Sequence, residues 1–388
     1  MIVKGKYNEA YVYASIVEPE ALEQIKCLCD LEWLAGQRIA IMADTHAGKG
    51  CTIGSSIMLK DKVNPEWVGC DIGCGMLVVE LGDAEVDLEK LDEVVNSLVP
   101  SGRNIHEAPV VDFDLSGLIA PLEDKDYILR SIGSLGGGNH FIELDIDRNG
   151  GKYLVIHTGS RRLGIEILRH YSNLAKKSNY NPKPIIEELK AQGRQKEISS
   201  ILEQYKAISE PKGYLEGLDY SNYLNDMRIA QNYAKINRET IASIIIKAMN
   251  LNPLASWETA HNYIDLENNI LRKGAISAQK GEKVLIPINM RDGSLICVGK
   301  GNPDYNYTAP HGAGRLMSRT KARETLALEE FQNSMAGIYT TSVDLSTIDE
   351  APMAYKPIDA IKEDIAATVA IVENIKPIYN FKAKELLD

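Results

Sequence analysis

The chain of 388 residues contains no uninterrupted apolar run long enough to cross a membrane as a helix, and its opening MIVKGKYNEAYVYA lacks the apolar core of a secretory signal. A cytoplasmic protein is expected, with no membrane partner. Cysteine is scarce. Cys27, Cys29, Cys51, Cys70, Cys74 and Cys297 are too few and too scattered for a disulfide framework, which leaves buried thiols with one or two available to a metal. Basic residues are outnumbered, 43 Lys and Arg against 54 Asp and Glu, for a formal net charge of -11. That excludes a protein that holds nucleic acid by bulk charge, because counterion release needs clustered cations. Any nucleic-acid contact must be confined to a local basic cleft. Internal repeats, low-complexity tracts, linkers, zinc-finger spacings and HExxH are all missing. Gly48-Lys49-Gly50 lacks the upstream glycine and the following Ser or Thr of a phosphate-binding P-loop, and GSLGGGNHF leads into an apparent strand rather than the helix of a dinucleotide fold.

What is present describes an ordinary globular chain, 44% hydrophobic and 25% charged, with ample length for a large core. Residues 36–82 mix glycine with short apolar runs and read as buried strands joined by tight turns. Residues 83–99 show acid-rich helical periodicity, and a second strand-and-turn region runs from Ile128 to Leu163. Residues 184–250 are mostly helical, strand character returns in EKVLIPINM and GSLICVGKG, and the region after Ser318 is helical again, with a helix predicted across Ile358–Ile375. Strands and helices come in blocks without strict alternation. The expectation is an α+β chain, a single mixed domain over residues 1–388 with a mostly helical insertion at about 184–250.

The chemistry concentrates in a few places. His311-Gly312-Ala313-Gly314-Arg315 combines an imidazole with glycines that let a backbone approach a phosphate oxygen and an arginine that neutralises its charge. The segment His311 to Arg323 holds Arg315, Arg319, Lys321 and Arg323 and no acid, a local reversal of sign. The plainer alternative is a glycine turn leading into a basic helix. Of seven histidines, His46, His140, His157, His261 and His311 sit in glycine-rich or strand-end settings, where loops on a rigid scaffold carry function, whereas His106 and His170 read as structural or surface residues. Gly69-Cys70-Asp71-Ile72-Gly73-Cys74-Gly75 adds a carboxylate and a thiol three residues apart. A thiolate with imidazoles selects soft or borderline ions and a carboxylate admits manganese or magnesium, so the two together suggest a mixed or two-metal site.

VGCDIGCGM, GGGNHFIEL, VIHTGSRRLG, AHNY, HGAGRLMSR and EAPMAYKPID, in this order across nearly the whole chain, resemble the RtcB family of GTP-dependent RNA ligases. The resemblance implies two manganese ions bridged by Cys74, with His140 and His157 completing one site and Asp71 and His261 the other. It implies guanylylation of His311 by GTP, and joining of RNA 3′-phosphate or 2′,3′-cyclic phosphate ends to 5′-hydroxyl ends in tRNA splicing or RNA repair. Nucleotide contacts carried over by motif are Asn139, Glu143, Asn262, Asn289, Ser294, Gly312, Ala313, Gly314, Tyr355 and Lys382. RNA contacts fall to Arg161, Arg162, Arg315, Arg319 and Lys321, and Asp44 and His46 stand near the site as supporting or RNA-facing residues. An activating partner, archease, belongs to the same expectation.

The chain departs from the family's commonest pattern at Asn289 and Arg291 in the stretch after Pro287, at Pro310 before the nucleophile, and in the residues from Ala383 to Asp388 beyond Lys382. An amide thereby stands where many members place a hydroxyl against the nucleotide. Two readings compete with a ligase: a metal-dependent phosphoesterase with His311 as general acid, and an RNA-end-binding paralogue altered in catalysis.

Overall fold

The computed structural model describes residues 1–15, 17–176, 182–202 and 213–383. Two sheets carry the site. The first has six strands in the order Ile2–Lys4, Glu9–Val12, Ile39–His46, Ile53–Met58, Ile270–Lys273 and Asn262–Asp265, antiparallel except where Glu9–Val12 runs parallel to Ile39–His46. The second has seven strands, all antiparallel, in the order Ala255–Ala260, Gly75–Gly82, Lys152–Thr158, Phe141–Ile146, Val369–Lys382, Gly293–Gly299 and Lys283–Asn289. Sheets and helices in separate blocks give the α+β class that the sequence predicts.

The local reasons are visible in the chain. Residues 39–45 are buried one after another, as a strand covered on both faces requires. Asp87 caps the helix Leu88–Leu98 by accepting from the Lys90 main-chain N–H, which places a helix in the acid-rich 83–99 segment. The six cysteines are all unpaired. Among the described residues no helix is long and apolar enough to cross a membrane.

One expectation is corrected. The helix predicted across Ile358–Ile375 stops at Ile365, and Val369–Lys382 is a 14-residue strand between two others. Its β-branched residues Val369, Ile371, Val372 and Ile375 suit a pleated surface better than a helix, and Pro377 falls at a shift of register, where a missing N–H is tolerated.

The described residues of the 184–250 segment include the helix Pro182–Ala191, a short turn of 3-10 helix, further helix at 198–202, the strand Leu215–Glu216 and the 33-residue helix Gly217–Met249, and the part of the predicted insertion at 203–212 lies outside the described residues. That long helix buries Tyr223, Met227, Ala230 and Tyr233 in one hydrophobic cluster and Ile241, Ala242 and Ile245 in another. Polar side chains are buried along it too. Asp226 accepts from the main-chain N–H groups of Ile119 and Ala120 at 3.0 and 2.8 Å and from the Tyr171 hydroxyl at 2.8 Å. Asp226→Ala leaves the buried donors of Ala120 and Tyr171 without an acceptor, and the expected cost is about 3 kcal/mol of unfolding free energy. Denaturant titration checks it; an unmoved midpoint would show that the 115–122 loop is held by other means.

Candidate active site

Metal-capable side chains meet where the seven-stranded sheet ends. Cys74 immediately precedes the strand Gly75–Gly82, His157 stands in its neighbour Lys152–Thr158, and His140 precedes Phe141–Ile146 on the far side of that neighbour. Register pairs His157 with both Met76 and Phe141, so three ligand positions far apart in sequence become adjacent rungs. His261 lies between Ala255–Ala260 and Asn262–Asp265 and donates its main-chain N–H to the Cys74 carbonyl at 2.8 Å. The Cys74 sulfur is 3.2 Å from His157 Nε2 and 3.5 Å from His140 Nε2, His157 Nε2 is 3.4 Å from His261 Nε2, and His140 Nε2 is 3.0 Å from Asp71 Oδ2.

The close groups are Cys74 with His157 and His261, and Cys74 with Asp71 and His140, all donor atoms of a group within 4.8 Å of one another. Cys74 is common to both. The pairing of the histidines differs from the expected split, in which His140 and His157 share one site.

The donor set fits divalent cations. His140 and His157 turn Nδ1 to the carbonyls of Leu135 and Asn139 at 2.8 and 3.1 Å, which fixes the ring with Nε2 toward the centre. Burial, reinforced by neighbouring imidazoles, pushes His157 and His261 far below the usual histidine range and keeps them neutral. Burial opposes ionisation of Asp71, yet His140 beside it holds the carboxyl far down, while burial and Asp71 push the Cys74 thiol up. Lone pairs thus face one another at hydrogen-bond distance, an arrangement a cation satisfies and a proton serves poorly.

Beside this cluster stands His311, its ring 5.0 Å from that of His261. Asp44, at the end of the strand Ile39–His46 and 3% exposed, accepts from His311 Nδ1 at 2.7 Å and from the His311 main-chain N–H at 3.1 Å. With Nδ1 carrying the proton, Nε2 keeps a free lone pair. Gly274 and Gly314 make room: a Cβ on Gly274 would stand 3.3 Å from His311 Cε1, and Gly314, at φ +71°, would press a Cβ within 3.1 Å of the Asp44 main chain. His46 turns Nδ1 to the Asp44 carbonyl at 3.0 Å and lines the same cleft.

The cleft in front of His311, about 250 Å³, brings together most of the residues expected to hold a nucleotide: Asn139, Glu143, Asn262, Asn289, Gly312, Ala313, Gly314, Tyr355 and Lys382 all line it. Ser294 does not. It is buried in the strand Gly293–Gly299, its hydroxyl without a partner. Asn262 uses its amide oxygen to accept from the Gly274 N–H at 2.9 Å, and Asn289 donates to Asp292 at 2.9 Å.

The family model described as tRNA-splicing ligase RtcB matches residues 24–118 and 119–383. The chain belongs to the RtcB family. The RNA-splicing ligase RtcB of Escherichia coli K12 is 30% identical over 93% of this chain and 94% of its own length. The tRNA-splicing ligases RtcB of Aeropyrum pernix and Thermococcus kodakarensis are 28% and 25% identical, over 95% and 97% of this chain and 94% of each relative.

Of the expected RNA contacts, Arg315 and Arg319 reach the cleft, Lys321 is exposed on the helix Arg319–Thr325, and Arg162 is engaged with Glu166 and Glu123 at 2.6 and 3.1 Å. Arg161 is largely enclosed on the metal side, donating to the Gly102 carbonyl at 2.8 Å and the Ser134 hydroxyl at 3.2 Å. The sequence reading missed the acids that meet the basic segment. Arg319 and Arg323 pair with Asp349 at 3.2 Å, and Glu350 takes Lys382 at 2.7 Å, the Tyr355 hydroxyl at 2.8 Å, Arg319 at 3.1 Å and Arg315 at 3.4 Å. Glu350 is the first letter of EAPMAYKPID and Asp349 the residue before it, so the acids stood in the motif while their distant partners did not.

Burial opposes ionisation of Glu350, but Lys382, Arg319 and Arg315 overcome it and hold the carboxyl at about 2, against an ordinary 4.5. A depressed carboxylate contributes stability that is present above its unfolded value and lost as pH falls through its folded one. The stability of the wild type should therefore fall between about pH 4.5 and 2 more steeply than that of Glu350→Gln, which has no such proton to take up. Melting temperature against pH reads the difference; parallel curves would remove Glu350 from the acid response.

Proposed function

We propose that this chain is an RNA ligase that joins an RNA 3′-phosphate or 2′,3′-cyclic phosphate to a 5′-hydroxyl, using GTP and two manganese ions, with His311 as the guanylylated residue. The observation that carries it is the 2.7 Å hydrogen bond from His311 Nδ1 to buried Asp44, which leaves Nε2 as a nucleophile facing a cleft beside the metal-capable cluster. Membership of a family whose relatives are named RNA-splicing ligases supports the substrate class.

Nε2 of His311 attacks the α-phosphorus of GTP; the N–P bond forms as the P–O bond to pyrophosphate breaks. Asp44 accepts the Nδ1–H and offsets the positive charge that develops on the imidazole as Nε2 bonds to phosphorus. Any cyclic phosphate is first opened by water. The guanylyl group then passes to an oxygen of the RNA 3′-phosphate, which gives that phosphate a leaving group, and the 5′-hydroxyl displaces GMP to form a phosphodiester. Asp71, Cys74, His140, His157 and His261 would hold manganese, whose chemistry is Lewis-acid polarisation of phosphoryl oxygens. Lys382, Arg315 and Arg319 line the cleft as counter-charges for phosphates, and Tyr355 offers a ring against a base.

Intact-mass measurement after incubation with GTP and manganese tests the assignment. Wild type should gain the mass of GMP; His311→Ala should keep its metal, gain no mass and join no RNA. A GMP-sized gain that persists in His311→Ala overturns it, and loss of metal in that variant makes His311 a ligand instead.

Glu143 adds a pH dependence. Burial raises its carboxyl to about 7, with Lys382 and Asn380 opposing. As acceptor for the guanine N1 and N2 groups it must be ionised, so GTP binding should strengthen as pH rises through about 7 and weaken roughly tenfold per unit well below it. Glu143→Gln, which cannot titrate, should bind GTP more weakly and without that slope; calorimetry across pH 6 to 8 shows whether the slope is Glu143's.

A further inference from the structure

The second sheet's ladder stops where the metal-capable residues begin. The last rung between the strands Gly75–Gly82 and Lys152–Thr158 is Gly75 with Thr158. Cys74 lies just beyond that rung on one strand, and His157 just before it on the other. At that rung and just past it lie the carbonyls of Thr158 and Gly73, both buried, where a carbonyl left unpaired is costly.

One side chain serves both. Arg238, 2% exposed, comes up from the long helix Gly217–Met249 and donates from the same Nη1 to the Gly73 carbonyl at 2.8 Å and to the Thr158 carbonyl at 2.8 Å. Its Nε is anchored on Glu258 Oε1 at 3.0 Å, a side chain that is 24% exposed on the edge strand Ala255–Ala260. The preceding residue repeats the device one strand over. Asn237 accepts from the N–H groups of Gly133 and Ser134 at 2.7 and 3.2 Å and donates to the carbonyls of Ser134 and Gly159 at 3.1 and 3.2 Å. The glycine beneath the clamp confirms how close the helix comes: a Cβ on Gly73 would stand 3.0 Å from Gln231 Cα and 3.1 Å from Ala234 Cβ.

We propose that Arg238 is a positioning residue for the metal centre: by stitching the carbonyls of Gly73 and Thr158 together it holds the Cys74 sulfur and His157 Nε2 at the separation one divalent cation can span. The inference rests on reading that cluster as a metal site and is independent of which reaction follows. A lysine carries all its N–H donors on one nitrogen at the end of a flexible stem, so it cannot meet both carbonyls from one atom and Glu258 from another as the fixed fork of a guanidinium does. Outer partners of this kind are typically worth about 10- to 100-fold in metal affinity.

The test titrates full-length wild type, Arg238→Lys and Glu258→Ala with Co²⁺ and with Mn²⁺, and records the thiolate-to-cobalt absorption band and the melting temperature with and without metal. Arg238→Lys should bind about tenfold or more weakly and show a shifted or weakened thiolate band, with the metal-dependent rise in melting temperature smaller than that of wild type. Glu258→Ala removes the Nε anchor that aims the guanidinium at both carbonyls, and it sits at a partly exposed position; it should fold and bind more weakly than wild type, by less than Arg238→Lys. Wild-type affinity and an unshifted band in a folded Arg238→Lys overturn the proposal. Should Arg238→Lys fail to fold, wild-type affinity in Glu258→Ala overturns it and weakened affinity upholds it. Wild type that takes up no Co²⁺ or Mn²⁺ defeats the metal reading and the clamp together, whereas normal metal binding without RNA joining leaves the clamp standing and fails the ligase reading alone.

Discussion

Strand ends have to converge in this protein, because they carry the chemistry, and convergence leaves backbone groups that no ladder can pair. The long helix Gly217–Met249 answers that constraint. Its apolar residues belong to both large hydrophobic clusters, so its position is set by packing along most of its length. Consecutive polar residues, Asn237 and Arg238, then meet the orphaned groups of Gly73, Gly133, Ser134, Thr158 and Gly159 at one height. Thr158 extends the network by donating to the Leu135 carbonyl, which also faces His140 Nδ1. Ligand geometry is thereby tied to the core, not to loops alone.

A second constraint is charge. The chain is acidic overall, and the basic segment that seemed to reverse the sign meets its own acids in Asp349 and Glu350. Glu350 and Lys382, 4% and 5% exposed at their side chains, form a pair that water does not screen. A phosphate entering the cleft meets cations that are already partnered. Its binding is worth the difference between two sets of contacts, which lets the cleft stay ordered without a ligand and still favour a dense anion.

How much of this could be read from the sequence depended on range. Local signals worked: the Asp87 cap, the buried run at 39–45 and the glycine-flanked histidines each announced themselves within a few residues. The family motifs led to the metal-capable cluster and to His311 beside it, because residue type at motif positions survives without knowledge of contacts. Partners across long separations did not show. Nothing near Arg238 says that it reaches Gly73, 165 residues away, and nothing near Arg315 says that Glu350 waits for it. The strand at Val369–Lys382 was missed for a related reason: its β character is decided by the two strands it lies between, and the preceding helical periodicity carried on past Ile365.

Four imidazoles follow one another through this site with successive ring centroids 5.0 to 5.3 Å apart, and what separates them is the atom that each Nδ1 faces. His140 and His157 face neutral carbonyls, which fix the tautomer and direct Nε2 inward without drawing the proton away. His261 Nδ1 has no hydrogen-bond partner at all. Of the four, only His311 turns Nδ1 to a carboxylate, and Asp44 is buried, where an ion acts at low dielectric on the ring it touches. A carbonyl suits a residue that keeps its charge state while holding a cation. A carboxylate suits one whose ring must become positive as it attacks. On the proposed reading the same amino acid is divided between holding and reacting by its outer hydrogen bond, and Gly314 leaves the Asp44 main chain the room that a Cβ there, 3.1 Å away, would take.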